Sequence, residues 1–161
     1  MALTLALYQP DIAGNAGAML RTCACFGAEA AIIEPAGFSL DDPRFRRAAL
    51  DYLKAVALTR RPSWRSFEGW LSACGRRAVL LTTRGERPLW DFAFAPNDVL
   101  IVGRETSGVP EAVARRADAR LRIPIRPAMR SLNVAVAAAI ALAEASRQLE
   151  LAGAAPGQTA T

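Results

Sequence analysis

The chain contains no histidine, and Lys54 is the single lysine among its 20 basic residues. Without histidine, Ser-His and Cys-His nucleophile pairs are excluded, as are most transition-metal sites. Cysteine is scarce. Cys23, Cys25 and Cys74 are odd in number and follow no zinc spacing. Cys23 and Cys25 fall inside an apolar helical pattern and read as buried thiols. No metal is expected. Long apolar runs are lacking too. The most apolar stretch, residues 134–143, is too short and too rich in alanine to span a bilayer. The start, Met1 to Tyr8, has no basic leader and reads as a first strand rather than a signal peptide. These absences predict a cytoplasmic protein with no membrane segment.

What is present is enough for one core. The chain has 161 residues, 52% of them apolar, which predicts a single domain over residues 1–150. Residues 151–161, rich in Ala and Gly, read as a disordered tail. The net charge is +5. Two readings of the arginine excess stand side by side: genomic base composition with ordinary surface solubility, or a polyanionic partner bound through guanidinium groups.

Apolar runs alternate with helical patterns. Strands are predicted over 3–8, 30–34, 55–58, 78–82, 99–102 and 121–123. Helices are predicted over 14–26, 41–50, 63–73, 110–116 and 131–149. Regular alternation with continuous apolar strands predicts an α/β fold, a parallel sheet with helices on both faces. In such a sheet ligands bind where the strands end.

Three loops at that edge stand out. The first follows the first strand and carries Asn15, Gly17 and Arg21; Asn15 and Gly17 open a helix whose N–H groups can bind an anion. The second runs Gly103-Arg104-Glu105-Thr106-Ser107-Gly108-Val109-Pro110. Gly103, directly after an apolar strand, allows a ligand to approach the backbone. The two glycines have P-loop spacing, but Val109 and Pro110 stand where Lys and Ser/Thr are required, so a nucleoside triphosphatase is rejected. The third runs from Ile123 through Pro124, Arg126, Pro127 and Arg130 into a small, apolar helix. Its prolines hold it extended, and Ser131 or Asn133 can cap the helix. That helix must be buried on most sides.

Together these loops resemble the SPOUT methyltransferases, the trefoil-knotted class that uses S-adenosylmethionine. The resemblance covers about residues 3–149 and is narrowest to the small tRNA 2′-O-methyltransferases of the anticodon wobble nucleotide. It rests on Asn15-Ala-Gly17 with Arg21, on Gly103 to Pro110, and on Ile123 to Val134. Ile33 to Phe38, Arg46 to Tyr52, Leu81 to Thr83 and Glu144 with Arg147-Gln148 add to it. The chain departs from the pattern at Ala13, Ala16, Ala128, Ala135 and Ala143.

The resemblance implies a deep C-terminal trefoil knot and a homodimer with the last helix in its interface. It implies S-adenosylmethionine held by Leu81, Gly103, Ile123, Ser131 and Leu132, and tRNA as the substrate. Arg21 would activate or stabilise the attacking 2′-hydroxyl, with Asn15, Glu105, Ser131 and Asn133 in the same cleft. Arg46, Arg126 and Arg130 would bind the RNA. The family's larger relatives carry extra RNA-binding domains that are not seen here, which fits the minimal wobble enzymes. A different tRNA or rRNA site, or a non-catalytic RNA-binding knot protein, are the alternatives.

Overall fold

The computed structural model describes residues 2–153, with side chains to residue 150. Seven parallel strands form one sheet: β1 (Thr4–Tyr8), β2 (Glu29–Ile33), β3 (Leu58–Arg61), β4 (Ala78–Leu81), β5 (Arg87–Pro88), β6 (Val99–Val102) and β7 (Ala119–Arg122). Their order across the sheet is β3-β2-β1-β6-β4-β7-β5. Five α-helices flank them: α1 (Ala13–Phe26), α2 (Pro43–Ala49), α3 (Trp64–Cys74), α4 (Glu111–Arg116) and α5 (Val134–Gly153).

The central strands are buried throughout, as continuous runs such as Val99 to Val102 require of a sheet covered on both faces. Alternate residues point to opposite sides. On one side Leu5, Leu7, Leu100 and Val102 meet Met19 and Leu20 of α1, Phe45 of α2, and Ala138, Ala141 and Leu142 of α5. On the other side Ala6, Tyr8, Leu80 and Ile101 meet Phe67 and Leu71 of α3 and Val113 of α4. Helix α1 lies hard against α2, because a Cβ on Gly17 would come within 2.5 Å of the Phe45 carbonyl oxygen and 2.7 Å of the Ala48 Cβ. Gly17 is a packing residue, and the helix begins four residues earlier, at Ala13. Helix starts are marked by side chains elsewhere: Asp42 accepts from the Arg44 N–H at α2, and Ser63 from the Ser66 N–H at α3.

Three expectations shift. Residues 55–57 are not in a strand, since Ala55 closes a 3-10 turn over Leu50–Lys54 with its N–H on the Tyr52 carbonyl. Strand β3 lies three residues later and pairs Leu58–Arg61 with Ala30–Ile33. It is an edge strand, so pairing rather than hydrophobicity sets its position. Cys23 is buried, and burial pushes its thiol up to about 12, but Cys25 and Cys74 are exposed. The last helix starts at Val134 and runs to Gly153, past the expected end. The expected tail lies largely outside the described residues.

Strand β7 sits between β4 and β5, which precede it in the chain and are joined directly by residues 82–86. Leu81 and Arg87 both register with Leu121. The short connection therefore arches across β7. A Cβ on Gly85 would come 2.2 Å from the Leu121 carbonyl carbon and 2.5 Å from the Arg122 nitrogen. The Arg122 guanidinium donates to the carbonyls of Gly85 (2.9 Å) and Glu86 (2.7 Å), holding the arch down. Only glycine fits between these two backbones. Among the described residues no helix is long and apolar enough to cross a membrane.

Candidate functional site

A cleft of about 530 Å³ opens where β4, β6 and β7 end. Its walls come from the residues after those strands, from the start of α1 and from the start of α5. Leu80, Val102, Val109, Ile123 and Val134 supply an apolar lining. Leu81, Gly103, Ile123, Ser131, Leu132, Asn15, Glu105 and Asn133 all border it, so the three loops singled out in the sequence converge. Four expected residues do not border it: Arg21, Arg46, Arg126 and Arg130 are outside its lining and exposed.

The loop after β6 is closed on itself. Arg104 and Gly108 exchange backbone hydrogen bonds of 2.9 Å each way. Gly108 has φ 66°, the left-handed region that glycine enters without strain. A Cβ on Gly103 would come 2.6 Å from the Gly108 carbonyl carbon. The backbone that approaches Gly103 is thus the loop's own, not a ligand's, and the need for glycine there is structural.

The charged groups of the cleft are tied to one another. Asp11, just after β1, receives the Arg104 guanidinium as an ion pair and the Thr106 hydroxyl at 2.7 Å. These bonds hold its carboxyl below the usual carboxylate range, with Arg104 the larger cause and Thr106 next. The Asp11 N–H donates to Glu105 Oε2 at 2.8 Å. Asn15 Nδ2 donates to Glu105 Oε1 at 3.3 Å, and Asn133 Nδ2 donates to Asn15 Oδ1 at 3.1 Å. Asn133 Oδ1 accepts from the N–H groups of Ala135 (2.8 Å) and Val136 (3.3 Å). Of the two possible caps, Asn133 caps α5. One polar chain therefore runs from the α5 N-terminus through Asn133 and Asn15 to Glu105. Each amide is oriented by it, because a carboxylate only accepts and a helix N-terminus only donates.

Sequence reasoning missed Asp11 and Arg104. Their contact joins residues 93 apart, and nothing local in either loop marks it. Arg21 stands on an exposed face of α1, with its guanidinium carbon 5.1 Å from the centre of the Tyr52 ring. Arg46 is paired with Asp41. Helix α5 is less enclosed than its composition suggests: Ala138, Ala141, Leu142 and Ala145 are buried, while Val136 is 48% exposed. Ala139, Ile140 and Ala143 are half-buried. Among the described residues no group of His, Cys, Asp or Glu side chains could hold a metal.

Known proteins share this arrangement. The model of the SpoU rRNA Methylase family matches residues 2–143. A tRNA (cytidine(34)-2′-O)-methyltransferase of Beijerinckia indica is 61% identical over 145 residues, covering 90% of this chain and 91% of that protein. A structure solved to study 2-OH methylation of C/U34 on tRNA superposes with a TM-score of 0.88 at 42% identity, covering 92% of this chain and 96% of the other. An AdoMet-bound rRNA methyltransferase from Sinorhizobium meliloti superposes with a TM-score of 0.85 at 29% identity, covering 92% of this chain and 57% of that one.

Proposed function

The chain belongs to the SpoU rRNA methylase family, and from that premise we propose that it is an S-adenosylmethionine-dependent tRNA 2′-O-methyltransferase. Its target is the ribose of the anticodon wobble nucleotide, a cytidine or modified uridine at position 34. The observation that carries this reading is the meeting of all three loops in one cleft at the carboxyl edge of the sheet. Identity supports tRNA over rRNA: 61% to the wobble-cytidine enzyme against 29% to the rRNA enzyme.

The cleft fits the cofactor. Its volume of about 530 Å³ lies in the range of small-molecule sites. Its lining combines apolar side chains with Asn15, Thr82, Arg104, Glu105, Ser131 and Asn133. Leu81, Gly103, Ile123, Ser131 and Leu132 would hold the molecule, which supplies an electrophilic methyl group on a sulfonium.

The chain's own residues must then present the ribose. A 2′-hydroxyl is a poor nucleophile and gains from charge stabilisation as its proton passes to solvent water. A guanidinium offers five donors and no acceptor, so the contribution of Arg21 is positive charge and orientation at the RNA backbone. Both oxygens of Glu105 already accept hydrogen bonds, so it acts as an anchored acceptor rather than a proton shuttle. Asn15, Ser131 and Asn133 orient what enters the cleft. Arg126 and Arg130 meet the RNA phosphates, with Arg46 in support once Asp41 releases it.

Two architectural features complete the reading. The arch of residues 82–86 over β7 is part of a trefoil knot through which the chain passes into α5. The half-exposed apolar face of α5, with Val136 at its N-terminal end, is covered by the same face of a second copy. Arg21, remote from the cleft of its own chain, then serves that of the partner. Residues 1–150 make up this one domain, working in the cytoplasm.

The test is nucleoside mass spectrometry of tRNA from a strain lacking the protein. A 2′-O-methylated wobble nucleotide should disappear and return when the gene is restored. Unchanged tRNA together with a lost ribosomal methylation would replace the proposed substrate.

A further inference from the structure

Three arginines are held by carboxylates: Arg104 by Asp11, Arg44 by Asp42, Arg46 by Asp41. Arg21 is held differently. Among the described residues it has no carboxylate partner and donates no side-chain hydrogen bond. Its guanidinium lies over the Tyr52 ring, and the backbone that carries the ring is tied into a turn. Tyr52 sits half-buried in the 3-10 turn Leu50–Lys54, whose end is closed by the Ala55 N–H on the Tyr52 carbonyl. The neighbouring Leu53 packs on the main core.

The two kinds of partner differ in chemistry. A carboxylate takes up the donor fork of a guanidinium and cancels its charge. An aromatic face attracts the cation through its quadrupole, leaves the N–H groups at the edge available, and leaves the charge in place. A ring can thus restrict a long, rotamer-rich side chain while keeping it ready for a phosphate or a developing oxyanion.

We propose that Tyr52 is a positioning residue for methyl transfer, laying the Arg21 guanidinium on its ring so that the cation meets the RNA in one orientation with its donors free. The inference rests on the reading of Arg21 given above. It goes further in assigning a role to a residue that contacts neither the cleft nor, by this argument, the RNA.

The test compares Tyr52→Phe and Tyr52→Leu in the wild-type and Arg21→Ala backgrounds, with single-turnover methylation of tRNA and calorimetry of S-adenosylmethionine. Tyr52→Phe should keep the wild-type rate. Tyr52→Leu should lose about two- to fivefold in rate, as expected for an exposed cation–π contact, with cofactor affinity unchanged. In the Arg21→Ala background it should cost nothing more. Because a leucine could disturb the turn, a series of increasingly fluorinated phenylalanines at position 52 provides a second measurement. The rate should fall stepwise as fluorine withdraws charge from the ring face, at constant thermal midpoint. A flat fluorine series, or an equal loss from Tyr52→Leu with and without Arg21, overturns the role of Tyr52. Full activity of Arg21→Ala is a different result: it removes Arg21 from the mechanism, and this inference with it.

Discussion

The cleft and the outer face of α1 handle charge in opposite ways. In the cleft, Asp11, Arg104, Glu105, Asn15 and Asn133 satisfy one another, and the chain of bonds ends on helix N–H groups. On the outer face, Arg21 rests on an aromatic ring, and Arg47 of the adjoining α2 has no ion-pair partner among the described residues. Paired groups make a fixed shape, suited to one small ligand gripped by backbone. Unpaired cations make a field, suited to a long polyanion that needs no single register. The difference teaches that positive charge alone does not mark an RNA surface; what counts is whether a carboxylate has already claimed it.

The comparison breaks most readily at the loop after β6. Gly103→Val puts a side chain where the Gly108 backbone lies, 2.6 Å from its Cβ position. The loop must open, and Arg104 and Glu105 leave their partners. We expect calorimetry to show S-adenosylmethionine affinity reduced beyond detection while circular dichroism remains that of a folded chain. Unchanged affinity would mean that the fixed shape is not what binds the cofactor.

A smaller effect separates two adjacent arginines. Arg47 is exposed and unpaired, whereas Arg46 is paired with Asp41. Arg47→Ala should weaken tRNA binding and lower the slope of log affinity against log salt by about one. Arg46→Ala should lower it by less. Equal slopes in titrations from low to moderate salt would erase the distinction between claimed and unclaimed cations.

The smallest effect lies on α5, where Glu144 belongs to the paired group. Arg147 and then Gln148 hold its carboxyl down at about 2, and Gln148 also bonds the backbone at Phe92 and Phe94. A depressed native value stabilises the fold above the ordinary carboxylate value of 4.5, and the contribution disappears as pH falls toward 2. Glu144→Gln should therefore lower the thermal midpoint by about 2 °C at neutral pH. The gap should close in acid. A gap that persists at pH 2 would show that packing, not charge, accounts for it.

Much of this was legible in the residues. Continuous apolar runs such as Val99 to Val102 mark central strands because both their faces must be buried. Gly103 and Gly108 mark a turn, the first because its position excludes a Cβ and the second because its φ lies in the left-handed region. Strand β3 was displaced by three residues because an edge strand carries little hydrophobic signal: its Thr59 and Arg60 face solvent. The two residues of β5 carry no periodicity at all. In the site, Asn15, Glu105 and Asn133 were marked by their places in three loops. Asp11, which holds Arg104 and Thr106, was not, since its importance lies wholly in contacts with distant residues. The half-exposed face of α5 escaped for a related reason: composition reports that a face is apolar, not whether its own chain covers it.

The place of β7 has a bearing on how the protein is made. Among the described residues strand β5 pairs only with β7, and the cleft takes its third wall from the residues after β7. As the chain emerges from the ribosome, β1, β2, β3, β4 and β6 can assemble while β5 waits without a neighbour. The arch must keep its passage open until Ala119 and the residues beyond it arrive. Cofactor binding is therefore the last property the nascent chain acquires, and a truncated product has no means of competing for the cell's S-adenosylmethionine.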